Sequence, residues 1–144
     1  MSALDTTITR SVEVRLAPEE AFALFTERAS TWWPFATHSV AGDAAESAVF
    51  EPPVGGRVYE RARDGSEHDW GEITVWDPPR RFALAWTLDP ACAGTEVEVR
   101  FAAVAGGTRV ELEHHGWENA SREVVEGYAG GWEHVLRTFA GASG

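Results

Sequence analysis

Between residues 47 and 114 the chain is cut into six strand-like runs by turn signals, and no gap between them can hold a crossover helix. The runs cover residues 47–51, 57–63, 70–76, 81–87, 95–104 and 108–114. Between them stand Pro52-Pro53-Val54-Gly55-Gly56, Asp64-Gly65, Asp77-Pro78-Pro79, Asp89-Pro90 and Gly106-Gly107, all chemistry for tight turns. Parallel neighbours need a connection of a dozen or more residues, so these spacings dictate an antiparallel meander.

The flanks complete the pattern. Residues 6–16 put Ile8, Val12, Val14 and Leu16 mostly on one parity, against Thr, Arg and Glu on the other, which predicts a half-buried strand. Ala17-Pro18-Glu19-Glu20 then starts a short helix, with proline early, acids in the first turn and an apolar face at Ala21, Phe22, Leu24 and Phe25. A second helical turn ends at Trp32-Trp33-Pro34, because a residue before proline is pushed out of the helical region. A turn-rich stretch to Ala45 follows. Residues 121–139 carry Val125, Tyr128, Ala129, Trp132, Val135, Leu136 and Phe139 at helical spacing, which predicts one long amphipathic helix. Residues 141–144 read as a frayed tail. The expectation is one α+β domain over residues 1–144: a curved seven-stranded antiparallel sheet around a long C-terminal helix, with two short helices after the first strand.

Composition removes several function classes. Apolar residues make up 44% of the 144, with seven Trp and seven Phe, enough for a packed core. One cysteine, Cys92, excludes an internal disulfide and any multi-thiolate metal site, and a reducing cytoplasm is the expected location. No run of about 18 apolar residues suggests a membrane span, and the first nine residues have no leader character. A net charge of -11 disfavours nucleic acid and anionic lipid as partners. All twelve basic residues are Arg, so Schiff-base chemistry and a phosphate-loop lysine are absent.

Taken in order, Trp32-Trp33-Pro34, Val54-Gly55-Gly56-Arg57-Val58-Tyr59-Glu60, Trp70-Gly71-Glu72, Asp77-Pro78-Pro79-Arg80-Arg81-Phe82, Trp86, Gly107-Thr108-Arg109-Val110, His114-His115-Gly116-Trp117 and Gly130-Gly131-Trp132 resemble the START-like (SRPBCC) helix-grip superfamily, with the birch-pollen-allergen-like fold. Within it the sequence is similar to bacterial proteins related to the ATPase activator of heat-shock protein 90. The resemblance implies a deep cavity between sheet and C-terminal helix, which in relatives holds sterols, lipids, polyketides or plant hormones. The eukaryotic co-chaperone works through a protein surface and also depends on a separate N-terminal domain. The resemblance therefore leaves a chaperone ATPase, or a second copy of the chain, as alternative partners to a small hydrophobic molecule.

Strand parity selects the cavity face. Phe82, Leu84 and Trp86, then Val97, Val99 and Phe101, then Val110, Leu112 and His114 share one side, which should face the helix. Arg109, Glu111 and Glu113 belong on the other side. The candidate ligand-binding residues are Trp33, Tyr59, Phe82, Leu84, Trp86, Phe101, Leu112, His114, Tyr128 and Trp132, with Trp86 and Trp132 foremost. His114 is either a hydrogen-bonding or acid–base group for a ligand or a structural histidine fixing the turn into Gly116-Trp117. His115 should face away, and His38, His68 and His134 are too scattered to converge on a metal. Glu60 and Glu72 are expected on an outward ion-paired ladder; facing inward, either would need a partner such as Arg57, Arg61 or His114. Gly130-Gly131 inside a helix needs a compensating reason, close packing on the sheet being preferred over a bend that admits a ligand. No catalytic residue, cofactor or metal is assigned. A cyclase or hydrolase acting through His114 or Glu60 is the third reading, after ligand binding and protein interaction.

Overall fold

The computed structural model describes residues 7–88, 90–117 and 120–143. Asp89 of the Asp89-Pro90 turn and Gly144 of the expected tail lie outside the described residues. Strand β1 spans Ile8–Val14, and helix α1, Pro18–Phe25, follows with Pro18 in its first turn and Glu19 and Glu20 at the positive end of its dipole. A 3-10 turn at Ala29–Thr31 is the second short helix. Then come β2 (Ala45–Phe50), β3 (Arg57–Ala62), β4 (Glu67–Asp77), β5 (Arg81–Trp86), β6 (Glu96–Val104) and β7 (Gly107–His115), and helix α2 (Arg122–Ala142). The Ser121 hydroxyl caps α2 by accepting from the Val124 N–H at 3.2 Å. The helix runs past Phe139 to Ala142, so Gly141 and Ala142 of the expected tail are helical.

All seven strands form one antiparallel sheet in the order β1-β7-β6-β5-β4-β3-β2. The meander is as the turn spacings require, and β1 closes on β7 from Ile8 opposite His114 to Val14 opposite Thr108. The sheet curls around α2, whose Val125, Trp132, Val135, Leu136 and Phe139 are buried against it. Phe82, Leu84, Trp86, Val97, Val99, Phe101, Val110, Leu112 and His114 are all buried on the expected side.

The inner row continues into the other half of the sheet through paired residues, from Leu84 to Ile73 and from Trp86 through Gly71 to Val58. Register shifts between Val58 and Tyr59 and between Ile73 and Val75 leave Trp70 and Thr74 as the extra residues of β4. Glu60, two residues from Val58 on the same side of β3, is inward and fully buried, contrary to the expected ladder, while Glu72 is exposed. Tyr59 faces outward, its ring covered by the Arg57 guanidinium at 4.0 Å and approached by Arg61 at 5.8 Å. At Gly71 a Cβ would stand 2.3 Å from the Ala85 carbonyl oxygen, so the close β4–β5 approach beside Trp70 demands glycine.

The outer face is a charge ladder in which acids are bridged by arginine. Arg100 meets Glu98, Glu111 and Glu113 at 2.8–3.2 Å, Arg81 meets Glu98, and Arg57 meets Glu67 and Asp69. Three arginines thus bridge five acids, and this ladder keeps an excess of negative charge.

Candidate functional site

The volume between sheet and helix is filled by tryptophan. Trp33 lies on Trp70 with ring centroids 4.7 Å apart, Trp86 meets Trp132 at 5.2 Å, and Trp33 meets Trp132 edge-on at 6.3 Å. What remains beneath them is a void of about 20 Å³, bordered by Phe82, Leu84, Val97, Val99 and Leu112. Room of that size holds about one water. The deep hollow expected from the resemblance is therefore closed.

Open space is found instead at the mouth, where the segment 33–39 faces α2. A pocket of about 430 Å³ opens there, walled by Trp33, Trp86, Leu88, Tyr128 and Trp132, with Thr37, His38, Ser39 and Glu123 as its polar members. Its aromatic walls share polar ties: the Trp86 Nε1–H donates to Tyr128 Oη at 3.3 Å, and the Trp33 Nε1–H donates to the His38 carbonyl at 2.8 Å. Four of the ten sequence candidates, Trp33, Trp86, Tyr128 and Trp132, line this pocket. Phe82, Leu84 and Leu112 border only the small void. Phe101 packs with Phe22, Phe25 and Phe82, away from both spaces. Tyr59, on the outer face, is not a pocket residue.

His114 sits behind the pocket wall with both ring nitrogens engaged. The Trp132 Nε1–H donates to Nδ1 at 2.9 Å, which fixes the proton on Nε2, and Nε2–H then donates to Thr95 Oγ1 at 2.9 Å. Thr95 Oγ1–H in turn donates to the Cys92 carbonyl, and the Trp117 Nε1–H donates to the His114 carbonyl. Burial, with a smaller contribution from the charge of His115, pushes the His114 pKa down to about 3. This is a neutral imidazole that holds Trp132 in place, with no atom left for a ligand.

Glu60 has a comparable role on the opposite side. Its Oε1 accepts from the Trp70 Nε1–H and the Val40 N–H, both at 2.7 Å, and its Oε2 accepts from the Ala41 N–H at 2.8 Å. The buried charge is balanced by three N–H donors and not by Arg57, Arg61 or His114. It ties the segment that carries His38 and Ser39 to β3. An acid–base role for either residue in the pocket therefore lacks a free atom.

The glycines of α2 have a different cause from the one expected. A Cβ at Gly130 would meet nothing within 4 Å, and one at Gly131 would touch only the His38 ring, so neither marks a close approach to the sheet. Gly127, one turn before Gly131, also has open space where its Cβ would be, and both Gly127 and Gly131 line the pocket. Sequence reasoning missed Gly127, although its four-residue spacing from Gly131 was the available signal. It also missed His38, for which a turn-rich stretch without periodicity offers no signal.

His38 is half-buried and stacks on His134 of α2, ring centroids 4.8 Å apart and 23° from parallel. Burial first, and the neighbouring His134 second, lower its pKa, so it is neutral at pH 7. Among the described residues, no group of three or more His, Cys, Asp or Glu is placed to hold a metal ion, and no helix is long and apolar enough to cross a membrane.

Residues 15–144 match the family described as Activator of Hsp90 ATPase homolog 1-like protein. The chain belongs to this family. Among solved structures, Txn09, an anthrahydroquino-gamma-pyrone synthase, is 32% identical over 98% of this chain and 99% of its own, with a TM-score of 0.66. The Aha1 dimer from Colwellia psychrerythraea is 16% identical, with 96% of each chain covered and a TM-score of 0.72. CalU16 from Micromonospora echinospora is 23% identical over 94% of this chain and 74% of that chain, with a TM-score of 0.66. These last two bear on the fold alone. No curated protein sequence matches the chain.

Proposed function

We propose that this chain binds a flat aromatic small molecule in the pocket between α2 and the 33–39 segment. The observation that carries the reading is the bare helix face at Gly127 and Gly131. Each glycine costs a helix interior about 1 kcal/mol relative to alanine, and no neighbouring backbone requires either one. Their common consequence is space, in a pocket whose other walls are indole and phenol faces. A volume of about 430 Å³ falls in the range of small-molecule sites. The 32% identity to Txn09, a synthase named for a fused aromatic product, agrees with such a ligand and favours a second reading, that the bound molecule is also transformed. ATPase activation rests on the family match alone and predicts faster turnover when the chain is added to a purified Hsp90-type ATPase.

Titrating phenanthrene into the wild-type protein should quench tryptophan emission saturably, because Trp33, Trp86 and Trp132 wall the pocket. In Gly127→Leu, a side chain fills that space and the affinity should fall at least tenfold. Absence of any saturable response from the wild type to phenanthrene and its simple derivatives overturns the reading.

A further inference from the structure

We propose that the pocket selects a hydroxylated aromatic, a phenol, and that His38 is the residue that reads the hydroxyl. This rests on the ligand-binding reading above and specifies its chemistry. The polar members of the pocket are unequal. Ser39 Oγ–H donates to the Phe35 carbonyl at 2.6 Å and its oxygen accepts from the Gly42 N–H at 2.9 Å, so it is consumed by its own turn. Tyr128 Oη accepts from Trp86. His38 is tied through one nitrogen only: Nδ1 lies 2.6 Å from Thr37 Oγ1, while Nε2 has no protein partner among the described residues.

The open edge of the ring is the one that matters. Cδ2 and Nε2 lie over Gly131, 3.6 and 3.7 Å from where a Cβ would stand, and both residues line the pocket. The glycine thus leaves this edge uncovered beside the aromatic walls. A half-buried imidazole nitrogen needs a partner once a ligand excludes water from it.

The identity of that partner follows from the tautomer question. If Thr37 donates to Nδ1, Nε2 carries the proton and needs an acceptor. If Nδ1–H donates to Thr37, Nε2 offers a lone pair and needs a donor. A hydroxyl satisfies both, whereas an ether or ketone satisfies only the first and an unsubstituted ring satisfies neither. His134 stacks on the ring face and not on the Nε2 edge, and Glu123 is the one carboxylate that lines the pocket. That carboxylate disfavours an anionic ligand and leaves the neutral phenol as the bound form.

Three probes of one shape test this: phenanthrene, 9-methoxyphenanthrene and 9-phenanthrol, each titrated by tryptophan quenching at pH 7. The expected result is that 9-phenanthrol binds about fivefold more tightly than phenanthrene, the increment of one hydrogen bond, and more tightly than the methyl ether, whose oxygen serves only one of the two tautomers. In His38→Phe, which keeps a ring on His134 but has no nitrogen, the ratio to phenanthrene should fall to about 1, and in His38→Gln, whose amide both donates and accepts, it should recover in part. Equal affinities of the wild type for phenol and ether, or a ratio unchanged in His38→Phe, overturn the assignment while leaving the pocket reading intact. Failure of all three probes to bind overturns the pocket reading itself.

Discussion

At the residue scale, the two buried titratable groups show how a polar atom survives in an apolar core. His114 remains neutral because burial disfavours its charged form, and Trp132 and Thr95 satisfy both of its nitrogens; Glu60 remains inside because three N–H groups surround its carboxylate. The His114 arrangement has a pH signature. In the unfolded chain the imidazole titrates near 6.5, and in the fold near 3. Its contribution is fully present above about pH 6.5. Below that, the unfolded chain takes up a proton that the fold refuses, so stability drops by about 1.4 kcal/mol per pH unit as pH falls toward 3. Urea titrations of wild type and His114→Gln between pH 6.5 and 4 should show this difference in slope. Parallel stability curves would contradict it. Sequence parity placed His114 inside, but its partners, 18 and 19 residues away, were not legible, because hydrogen bonding depends on where two other elements dock.

At the scale of elements, α2 balances helix formation against the space it leaves. The helix starts with a good cap and an inner stripe, yet interrupts itself with glycine on the face toward the pocket. Where space is the only purpose of a glycine, an alanine should be tolerated and should stabilise. Gly127→Ala is expected to raise stability by about 0.5–1 kcal/mol and the melting midpoint by about 3 °C, read by circular dichroism. A lower midpoint would mean that the glycine has a packing role after all. The strands differ in how much of them was legible. For β5, β6 and β7, alternation gave the inner face correctly because their pairing has no register shift. For β3 the period itself was legible, with Val58, Glu60 and Ala62 on the inner side, but a carboxylate was expected outside, because the N–H donors that hold Glu60 come from Trp70, Val40 and Ala41 and are set only by docking.

At the scale of the molecule, the outer ladder pairs many acids locally, but the chain still carries a net charge of -11. Self-repulsion of that excess opposes compactness. Raising salt from about 0.1 M to about 1 M shortens the screening length from about 10 Å to about 3 Å, so the melting midpoint should rise in differential scanning calorimetry. A fall would show that the surface ion pairs outweigh the repulsion. The amino-acid order alone determined the meander, its closing helix and the inner face of its last three strands, because turn chemistry and side-chain period are local properties. The folded arrangement alone decided that four indoles close the interior and that a free histidine edge meets a bare helix face at the mouth. Volume and juxtaposition are sums over side chains far apart in the chain, and only their docking sets them.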